Sequence, residues 1–193
     1  MKKILNSHIE NLIKVLSKTK NELSVIEKIT NILISAIKNR KKIFVYGNGG
    51  SFADSSHFVG ELTATYKKKR NPLPFFLLGS NMASVTAWAN DYKNDEYISR
   101  EFNGYANKGD LLIILSTSGG NLKKKQSTNL IKLSKVAKQK KIFIISLLGK
   151  GGGALKNNSN ISYIVKSNST ATIQEVHKTL LHSICEIIET KIK

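Results

Sequence analysis

Residues 43–51, with the sequence IFVYGNGGS, form the stretch of this 193-residue chain that decides its fold. The apolar and aromatic residues at 43–46 predict a buried strand, and the small residues at 47–51 predict a tight turn that opens a helix. A strand, a glycine-rich turn and a helix N-terminus make an anion site, because the first helical N–H groups are unpaired. On its own, this segment is equally typical of a phosphate cradle and of a structural turn.

The same strand-like pattern recurs along the chain. Helix-length segments separate four further short apolar runs, at 75–78, 111–115, 142–147 and 161–165. Continuous apolar strands alternating with helices predict a parallel sheet covered on both faces. Small-residue loops also follow two of these runs, at 116–120 and 149–153. Because ligands bind at the carboxyl ends of such strands, we expect the 47–51 and 116–120 loops to lie together.

Apolar residues recur at helical spacing before the first predicted strand, over 4–18 and 22–39, and after the last one, over roughly 172–190. The first two segments are too apolar for lone surface helices, so a partner helix or a second subunit is expected to cover them. No linker-like segment divides the chain. The sequence therefore predicts a single domain over 1–193.

Composition limits the classes of function. The net charge is +18, but the basic clusters at 67–70 and 123–125 lack the interleaved aromatic residues of a single-strand binding platform. We interpret the lysines as solvated surface that also steers anionic substrates, with no nucleic-acid partner. The lone Cys185 excludes an internal disulfide and is typical of a buried thiol. Neither a signal peptide nor 18 consecutive apolar residues is evident, so we expect a cytoplasmic protein without a membrane partner.

The loop that follows the run at 111–115 carries three consecutive hydroxyls, Ser116, Thr117 and Ser118, before Gly119. Phosphate oxygens need several donors in a tight arc, and hydroxyls with backbone amides supply them. The alternative is that these residues cap the following helix. Phosphate binding is the interpretation we favour.

Candidate metal or proton-transfer residues lie in two segments. His57 and Glu61 are four residues apart, so they share one helix face and fit either a metal pair or a base with its orienting partner. Gln174, His177 and His182 are further candidate ligands in the last helix. Gln174 and His182 lie about 12 Å apart along a straight helix, so they could share one ion only if their side chains converged or another subunit contributed a ligand.

Taken together, the motifs resemble those of the sedoheptulose 7-phosphate isomerases, or phosphoheptose isomerases, of the sugar isomerase (SIS) superfamily. They run in the family's order across nearly the whole chain: Gly47-Asn48-Gly49-Gly50-Ser51, His57-Phe58-x-x-Glu61-Leu62, Asn90-Asp91-Tyr92, Gly109-Asp110, Ser116-Thr117-Ser118-Gly119, Gly149-Lys150-x-Gly152-Gly153 and Gln174-Glu175-x-His177-x4-His182. Each motif is weak alone, whereas the ordered set is specific.

This resemblance implies an α/β fold: a flavodoxin-like, three-layer SIS domain with a five-stranded parallel sheet and N-terminal helices. It implies a homotetramer, with the helices of 1–40 in contacts between subunits. It also implies one Zn²⁺ per subunit, held by four ligands: His57, Glu61, Gln174 and His182.

The implied activity is aldose–ketose isomerisation of a phosphorylated sugar through an enediol, for heptose synthesis in lipopolysaccharide or capsule. Glu61 would move the proton beside the carbonyl and His182 the proton at the oxygen. The implied substrate contacts are Asn48, Gly49, Gly50, Ser51, Glu61, Asn90, Asp91, Ser116, Thr117, Ser118, Ser127 and Gln174.

Three departures from the family pattern keep other functions open. Residues 120–125 intervene before Ser127, and Thr65 and Thr172 stand where many members have arginine. One alternative is an isomerase of a related sugar phosphate. Another is a non-catalytic SIS protein similar to the DnaA initiator-associating protein, although that relative is expected to lack the Glu61 and His182 equivalents. A sugar-phosphate-sensing regulator is disfavoured, because no DNA-binding segment is evident.

Overall fold

The computed structural model of this protein describes residues 1–192. A five-stranded parallel sheet forms its centre, built from β1 (Ile43–Gly47), β2 (Phe75–Leu77), β3 (Leu111–Ser116), β4 (Phe143–Gly149) and β5 (Ile161–Val165). The strand order is β2-β1-β3-β4-β5. This is the flavodoxin-like order, whose switch point lies between β1 and β3. The predicted fold class is confirmed.

Eight α-helices in the described residues surround this sheet: α1 (Lys2–Thr19), α2 (Leu23–Lys38), α3 (Gly50–Thr63), α4 (Met82–Asp91), α5 (Tyr97–Tyr105), α6 (Thr128–Gln139), α7 (Gly153–Asn158) and α8 (Thr170–Lys191). The three helices predicted at 4–18, 22–39 and 172–190 are confirmed as α1, α2 and α8. Both α1 and α2 pack against α8, so the expected partner helix is present. Together these helices form one outer layer with α3.

Alternate residues of each buried strand face opposite layers, as the period of a strand requires. In β3, Ile113 and Leu115 join the core beneath α1, α2, α3 and α8, whereas Leu112 and Ile114 join the core beneath α4–α7. All six β3 residues are buried. The continuous apolar runs therefore reflect burial on both faces.

The sheet register brings the first two glycine-rich loops together. Gly47, at the end of β1, is paired with Leu115, one residue before the end of β3. The loops that begin at Asn48 and Thr117 consequently leave neighbouring strands at the same edge. The third loop joins them: a Cβ on Gly119 would overlap the backbone of Gly152, so the 116–120 and 149–153 loops are in direct contact.

Candidate active site

Helices α3 and α8 pack together and bring three ionisable side chains into one cluster. The imidazoles of His57 and His182 and the carboxylate of Glu61 each offer a ligand atom, and all three atoms lie within 4.8 Å of one another. His57 and Glu61 come from adjacent turns of α3, as their spacing predicted, while His182 comes from the facing side of α8. The cluster therefore forms within one chain.

The geometry of this cluster fits a divalent metal ion. His57 Nε2 lies 2.9 Å from Glu61 Oε1, and the rings of His57 and His182 are 5.1 Å apart at 77° to each other. Glu61 and His182 are partly buried, while His57 is exposed. Two imidazoles and one carboxylate that converge from two helices match the donor set of many metal sites that keep an open position for substrate.

Gln174 lies on the same face of α8, two turns before His182. Its side-chain amide packs against Gly50, at the start of α3, where a Cβ atom would overlap it. Between these two contacts, Lys178 forms a 3.3 Å ion pair with the buried Asp54 of α3. The α3–α8 seam thus runs from Gln174 to His182 as a continuous row of polar contacts. Gln174 lies at one end of this row, and the cluster of His57, Glu61 and His182 lies at the other.

Two other residues singled out in the sequence have no place in the cluster. His177 is buried at 1% exposure, and its Nε2 lies 3.2 Å from the carbonyl oxygen of Leu148 in β4. Burial lowers the pKa of His177 to about 4, so the ring is neutral. Cys185 is buried and free, as predicted, and burial raises its pKa to about 12.

Residues 116–120 form a loop in which the serine hydroxyls accept hydrogen bonds from backbone amides. Gly119 N–H donates to Ser116 Oγ at 3.0 Å, and Gly120 N–H donates to Ser118 Oγ at 3.3 Å. These two amides are thus already occupied, contrary to the expectation that loop amides would be open to phosphate. Among residues 1–192, neither hydroxyl donates a hydrogen bond; the Ser118 side chain is partly exposed, whereas Ser116 is buried.

The helix-capping alternative for these three hydroxyls is wrong, because α6 begins only at Thr128, with Ser127 as its N-cap. Residues between 120 and 127 instead form a closed turn. Asn121 and Gln126 pair in an isolated antiparallel bridge with two 2.9 Å backbone hydrogen bonds. Gly120 and Ser127 flank this bridge, so the six-residue excursion ends close to where it started. Ser127 adopts the left-handed conformation (φ 53°), and its hydroxyl makes no capping bond.

Asn48, the first residue after β1, reaches across to α6. Its side-chain amide exchanges two hydrogen bonds with that of Asn129, at 3.0 and 2.7 Å. The pair lies on the wall of a cavity of about 450 Å³, which Gly79, Asp95 and Tyr97 also line. Both amides are satisfied by each other in this state. Gly49 and Gly50 are exposed beside them, and Ser51 is buried in the first turn of α3.

Asn90 and Asp91 lie at the exposed C-terminal end of α4, where Asn90 Nδ2 donates to Asp91 Oδ1 at 2.8 Å. Asp91 lines a separate open cavity of about 700 Å³ with Trp88, Tyr92 and Arg100. It does not belong to the cluster of His57, Glu61 and His182. The structure thus brings His57, Glu61 and His182 together, and Asp91 lies outside this group.

Sequence reasoning missed several residues that contact the cluster. The ring of Tyr66 stacks on that of His182 with centroids 6.0 Å apart, and Arg70 donates to the backbone carbonyls of Glu61 and Leu62. Asp54 and Lys178 could have been found from spacing, because they lie at helical intervals from Glu61 and His182. Tyr66 and Arg70 carry no such signal, since they lie in a connecting segment.

Arginine at position 172 would not fit the packing around α8. Thr172 is fully buried, and its Oγ1 accepts a 2.9 Å hydrogen bond from Asn11 of α1. Thr65, by contrast, is exposed beyond the end of α3. None of the helices among residues 1–192 combines the length and the hydropathy that crossing a membrane requires.

Comparison with known proteins gives one consistent result. The family model described as the SIS domain matches residues 7–149. A phosphoheptose isomerase from Campylobacter concisus is 38% identical over 189 residues, covering 98% of this chain and 97% of the relative. One from Aliarcobacter butzleri is 40% identical over 186 residues, covering 96% and 94%.

Solved structures agree with the sequence relatives. The structure of a phosphoheptose isomerase from Francisella tularensis superposes with a TM-score of 0.89 at 30% identity and covers 96% of each chain. The similarity spans the whole fold, including both helices of the cluster. The chain therefore belongs to the SIS domain family and, within it, to the phosphoheptose isomerases.

Proposed function

We propose that this protein converts sedoheptulose 7-phosphate to glycero-manno-heptose 7-phosphate through an enediol, with one Zn²⁺ bound per subunit, for heptose synthesis in lipopolysaccharide or capsule. The convergence of His57, Glu61 and His182 within 4.8 Å carries the proposal. Family membership supports the reaction class, because the matched relatives are named for isomerisation of a phosphoheptose.

Aldose–ketose isomerisation moves one proton between C1 and C2 of the sugar and one between their oxygens. Glu61 is the proposed base: its carboxylate takes a proton from C1 of the ketose and returns it to C2 of the enediol. His182 carries the second proton, from the C1 hydroxyl to the C2 oxygen. Each transfer needs a group within hydrogen-bond reach of its proton, and both side chains are partly open to solvent.

The proposed zinc ligands are His57, Glu61, Gln174 and His182. The donor types support zinc, since imidazole nitrogen and carboxylate oxygen are common zinc ligands in catalytic sites. When bound, the ion supplies an electrophile that polarises the sugar carbonyl and offsets negative charge on the enediolate. Glu61 has two carboxylate oxygens, so this residue could serve both as a ligand and as the base.

Phosphate is proposed to bind at Ser116, Thr117, Ser118 and Ser127, with Asn48, Gly49, Gly50, Ser51, Asn90 and Asp91 around the sugar. The free hydroxyl hydrogens of Ser116 and Ser118 support this, because charge-assisted hydrogen bonds to phosphate are roughly twice as strong as neutral ones. Anions also gain from the N-terminus of α3, which opens at Gly50.

A homotetramer is proposed as the active assembly, with the helices of 1–40 in its contacts. Ile4, Leu5, Ile9 and Ile13 of α1 are each more than half exposed in the single chain. A row of exposed aliphatic side chains on one helix is typical of an interface between proteins. Sedimentation at micromolar concentration would give a four-chain mass; a monomer would exclude this assembly.

Turnover of sedoheptulose 7-phosphate, measured with added zinc and with chelator, tests the proposal. We expect heptose 7-phosphate to form with zinc and its formation to stop with chelator. No turnover of this sugar by the zinc-loaded protein would reject the proposed substrate. Turnover that persists unchanged in chelator would reject the proposed role of the metal.

An isomerase of a related sugar phosphate is the second candidate, and the turn at 121–126 favours it. Three lysines are added there next to the proposed phosphate loop. A panel of ketose phosphates of five to seven carbons separates the candidates by kcat/KM. A tenfold preference for a shorter ketose phosphate would favour the second candidate.

A further inference from the structure

A connecting segment between α3 and β2 lies directly against the proposed proton carrier. The ring of Tyr66 stacks on His182 at an interplanar angle of 22°, while the ring of His57 meets His182 edge-on. Two aromatic rings therefore lie close to that of His182. Since Tyr66 does not belong to a helix or strand, something else must fix its position.

Glu189 fixes this segment from α8. Its carboxylate accepts hydrogen bonds from the backbone N–H groups of Tyr66 at 3.0 Å, Lys67 at 2.9 Å and Lys68 at 3.2 Å. The Glu189 side chain is only 2% exposed. It lies seven residues after His182, so both side chains share one face of α8. The helix that carries His182 thus also holds the segment that covers it.

Arg70 connects the same carboxylate to the helix that carries Glu61. Its Nε lies 3.2 Å from Glu189 Oε1, and its terminal nitrogens donate to the carbonyl of Glu61 at 2.7 Å and to that of Leu62 at 2.8 Å. These carbonyls belong to the last turn of α3, where the intrahelical partners run out. A cation at this helix end is also favoured by the helix dipole.

The charge state of Glu189 agrees with this role. Burial alone would raise its pKa, but the N–H groups of Lys67 and Tyr66 and the charge of Arg70 outweigh that effect and lower the pKa below its usual range. The carboxylate is therefore ionised near neutral pH. Every described donor around it is a backbone amide or the Arg70 guanidinium, so the group acts inside the fold and not on substrate.

We propose that Tyr66, Arg70 and Glu189 form a positioning clamp that sets the relative placement of Glu61 and His182. The catalytic consequence rests on the proposed function, whereas the effect on side-chain placement does not. Loss of the clamp should let His182 turn away from His57 and weaken metal binding. Residues that orient metal ligands typically change metal affinity by about 10-fold to 100-fold when mutated.

Arg70→Lys and Tyr66→Leu are the test variants. Lysine keeps the charge but cannot donate at once to Glu189 and to both carbonyls of α3. Leucine keeps apolar volume but removes the ring from His182. Tyr66→Phe restores the ring and serves as the rescue variant.

The chain also provides a matched control. Lys67 and Glu186 form an exposed 2.7 Å ion pair between the same segment and the same helix, with both side chains more than half exposed. Glu186→Gln breaks that pair and leaves the clamp intact. Such exposed pairs contribute little to stability, so we expect wild-type behaviour.

The first measurement uses metal-free protein. The chain has only four histidines, so the imidazole C–H resonances can be assigned by NMR with single His substitutions. We expect the ring current of Tyr66 to shift the His182 signal upfield. That shift should be lost in Arg70→Lys and Tyr66→Leu, and kept in Tyr66→Phe and Glu186→Gln.

The second measurement is Co²⁺ affinity, by competition with a chelator, together with kcat and KM. Arg70→Lys and Tyr66→Leu should each weaken Co²⁺ binding by about tenfold and lower kcat more than they change KM. Tyr66→Phe should recover both. If Arg70→Lys does not fold, as judged by circular dichroism, Tyr66→Leu and its rescue still decide the outcome.

Wild-type His182 signals and Co²⁺ affinities in both test variants would overturn the clamp. A changed NMR signal with unchanged Co²⁺ affinity would overturn it too, because Tyr66 would then only pack. Failure of the proposed function looks different: the wild-type protein itself would not turn over the sugar or bind Co²⁺. In that case, loss of the His182 shift in Arg70→Lys would still support the clamp, and its retention would overturn it.

Discussion

The α3–α8 cluster and the 116–127 loop hold their functional groups by different means. In the cluster, His57, Glu61 and His182 project from two long helices and contact one another directly. In the loop, Ser116 and Ser118 are held by the backbone amides of the glycines that follow them. Side-chain placement on the helices follows from residue spacing, whereas placement in the loop depends on backbone conformation.

This difference bears on where an insertion can be accommodated. In the loop, the resemblance predicts an insertion at 120–125, and the pairing of Asn121 with Gln126 brings Gly120 and Ser127 back together. An insertion of the same length inside α3 or α8 would rotate every later side chain to another face. The side chains of the cluster therefore lie on the elements that fix them most strictly, whereas the predicted insertion lies next to the proposed phosphate loop.

The largest effect is expected from a change in the cluster itself. Glu61→Gln keeps the shape of the side chain but removes the base, so kcat with saturating zinc should fall by about 10²-fold to 10⁴-fold. Steady-state kinetics with sedoheptulose 7-phosphate measures it, and Glu186→Gln on the exposed side of α8 is the control. Wild-type kcat in Glu61→Gln would exclude Glu61 as the base.

Much of the α3–α8 cluster was predictable from residue spacing. The strand at 43–46 and the pairing of His57 with Glu61 follow from local periodicity, because each depends on neighbours within one element. The approach of His182 to that pair was not predictable from spacing, since 125 residues separate His182 from His57. It came from the resemblance to a family, and the structure supplies the contact.

The conformation of the 116–127 loop was less predictable, for a physical reason. Lys125 and Ser127 both adopt positive φ, and neither is a residue type that favours it. No turn signal in the sequence therefore indicates the bridge between Asn121 and Gln126. The contact of Arg70 with Glu189, 119 residues away, could not be predicted from the sequence either. An ion pair between distant segments leaves no periodic pattern.

A second, slightly smaller effect tests how firmly the packing around α8 holds its side chains. His177 on α8 is neutral and buried, with a pKa of about 4 against 6.5 when unfolded. The unfolded chain therefore binds the extra proton between these values, and stability falls as the pH drops from 6.5 to 4. The expected loss is about 3 kcal/mol at 1.36 kcal/mol per pKa unit.

Urea unfolding at pH 7.5 and at pH 4 measures this loss in the wild type and in His177→Gln. Glutamine keeps a donor for the Leu148 carbonyl but cannot take up the proton. The difference in unfolding free energy between the two pH values should shrink by about 3 kcal/mol in the variant. An equal pH dependence in both proteins would mean that His177 is protonated without resistance from the fold.

A smaller effect is expected in the loop. Ser118→Ala removes one hydroxyl donor, and a hydrogen bond to a charged group contributes about 1.5–3 kcal/mol, so kcat/KM should fall by about tenfold to 100-fold. The effect should arise mainly in KM. Sedoheptulose without its phosphate provides the contrast, since the substitution should leave the residual kcat/KM for that sugar unchanged. Equal losses for both sugars would mean that Ser118 does not contact phosphate.

The smallest effect is expected from the turn at 121–126, which belongs to the loop and has no counterpart in the α3–α8 cluster. Lys123, Lys124 and Lys125 are exposed and form no salt bridge in the part of the chain that the structure describes. Unpaired charges next to a phosphate loop raise the rate of encounter with an anionic substrate. Replacing all three with glutamine should lower kcat/KM at low salt by about twofold to fivefold, with kcat unchanged.

Salt and a charge-matched control make this effect diagnostic. Exposed charges are largely screened at high ionic strength, where the Debye length is about 3 Å at 1 M salt, so the two proteins should converge there. Replacing Lys108, Lys135 and Lys141 with glutamine removes the same charge from exposed positions outside the turn and outside the helices of 1–40. If that triple variant lost as much kcat/KM, the net charge and not the turn would steer the substrate. If the turn variant differed at all salt concentrations, the lysines would instead contact the bound phosphate, and the loop would be a specificity element in its own right.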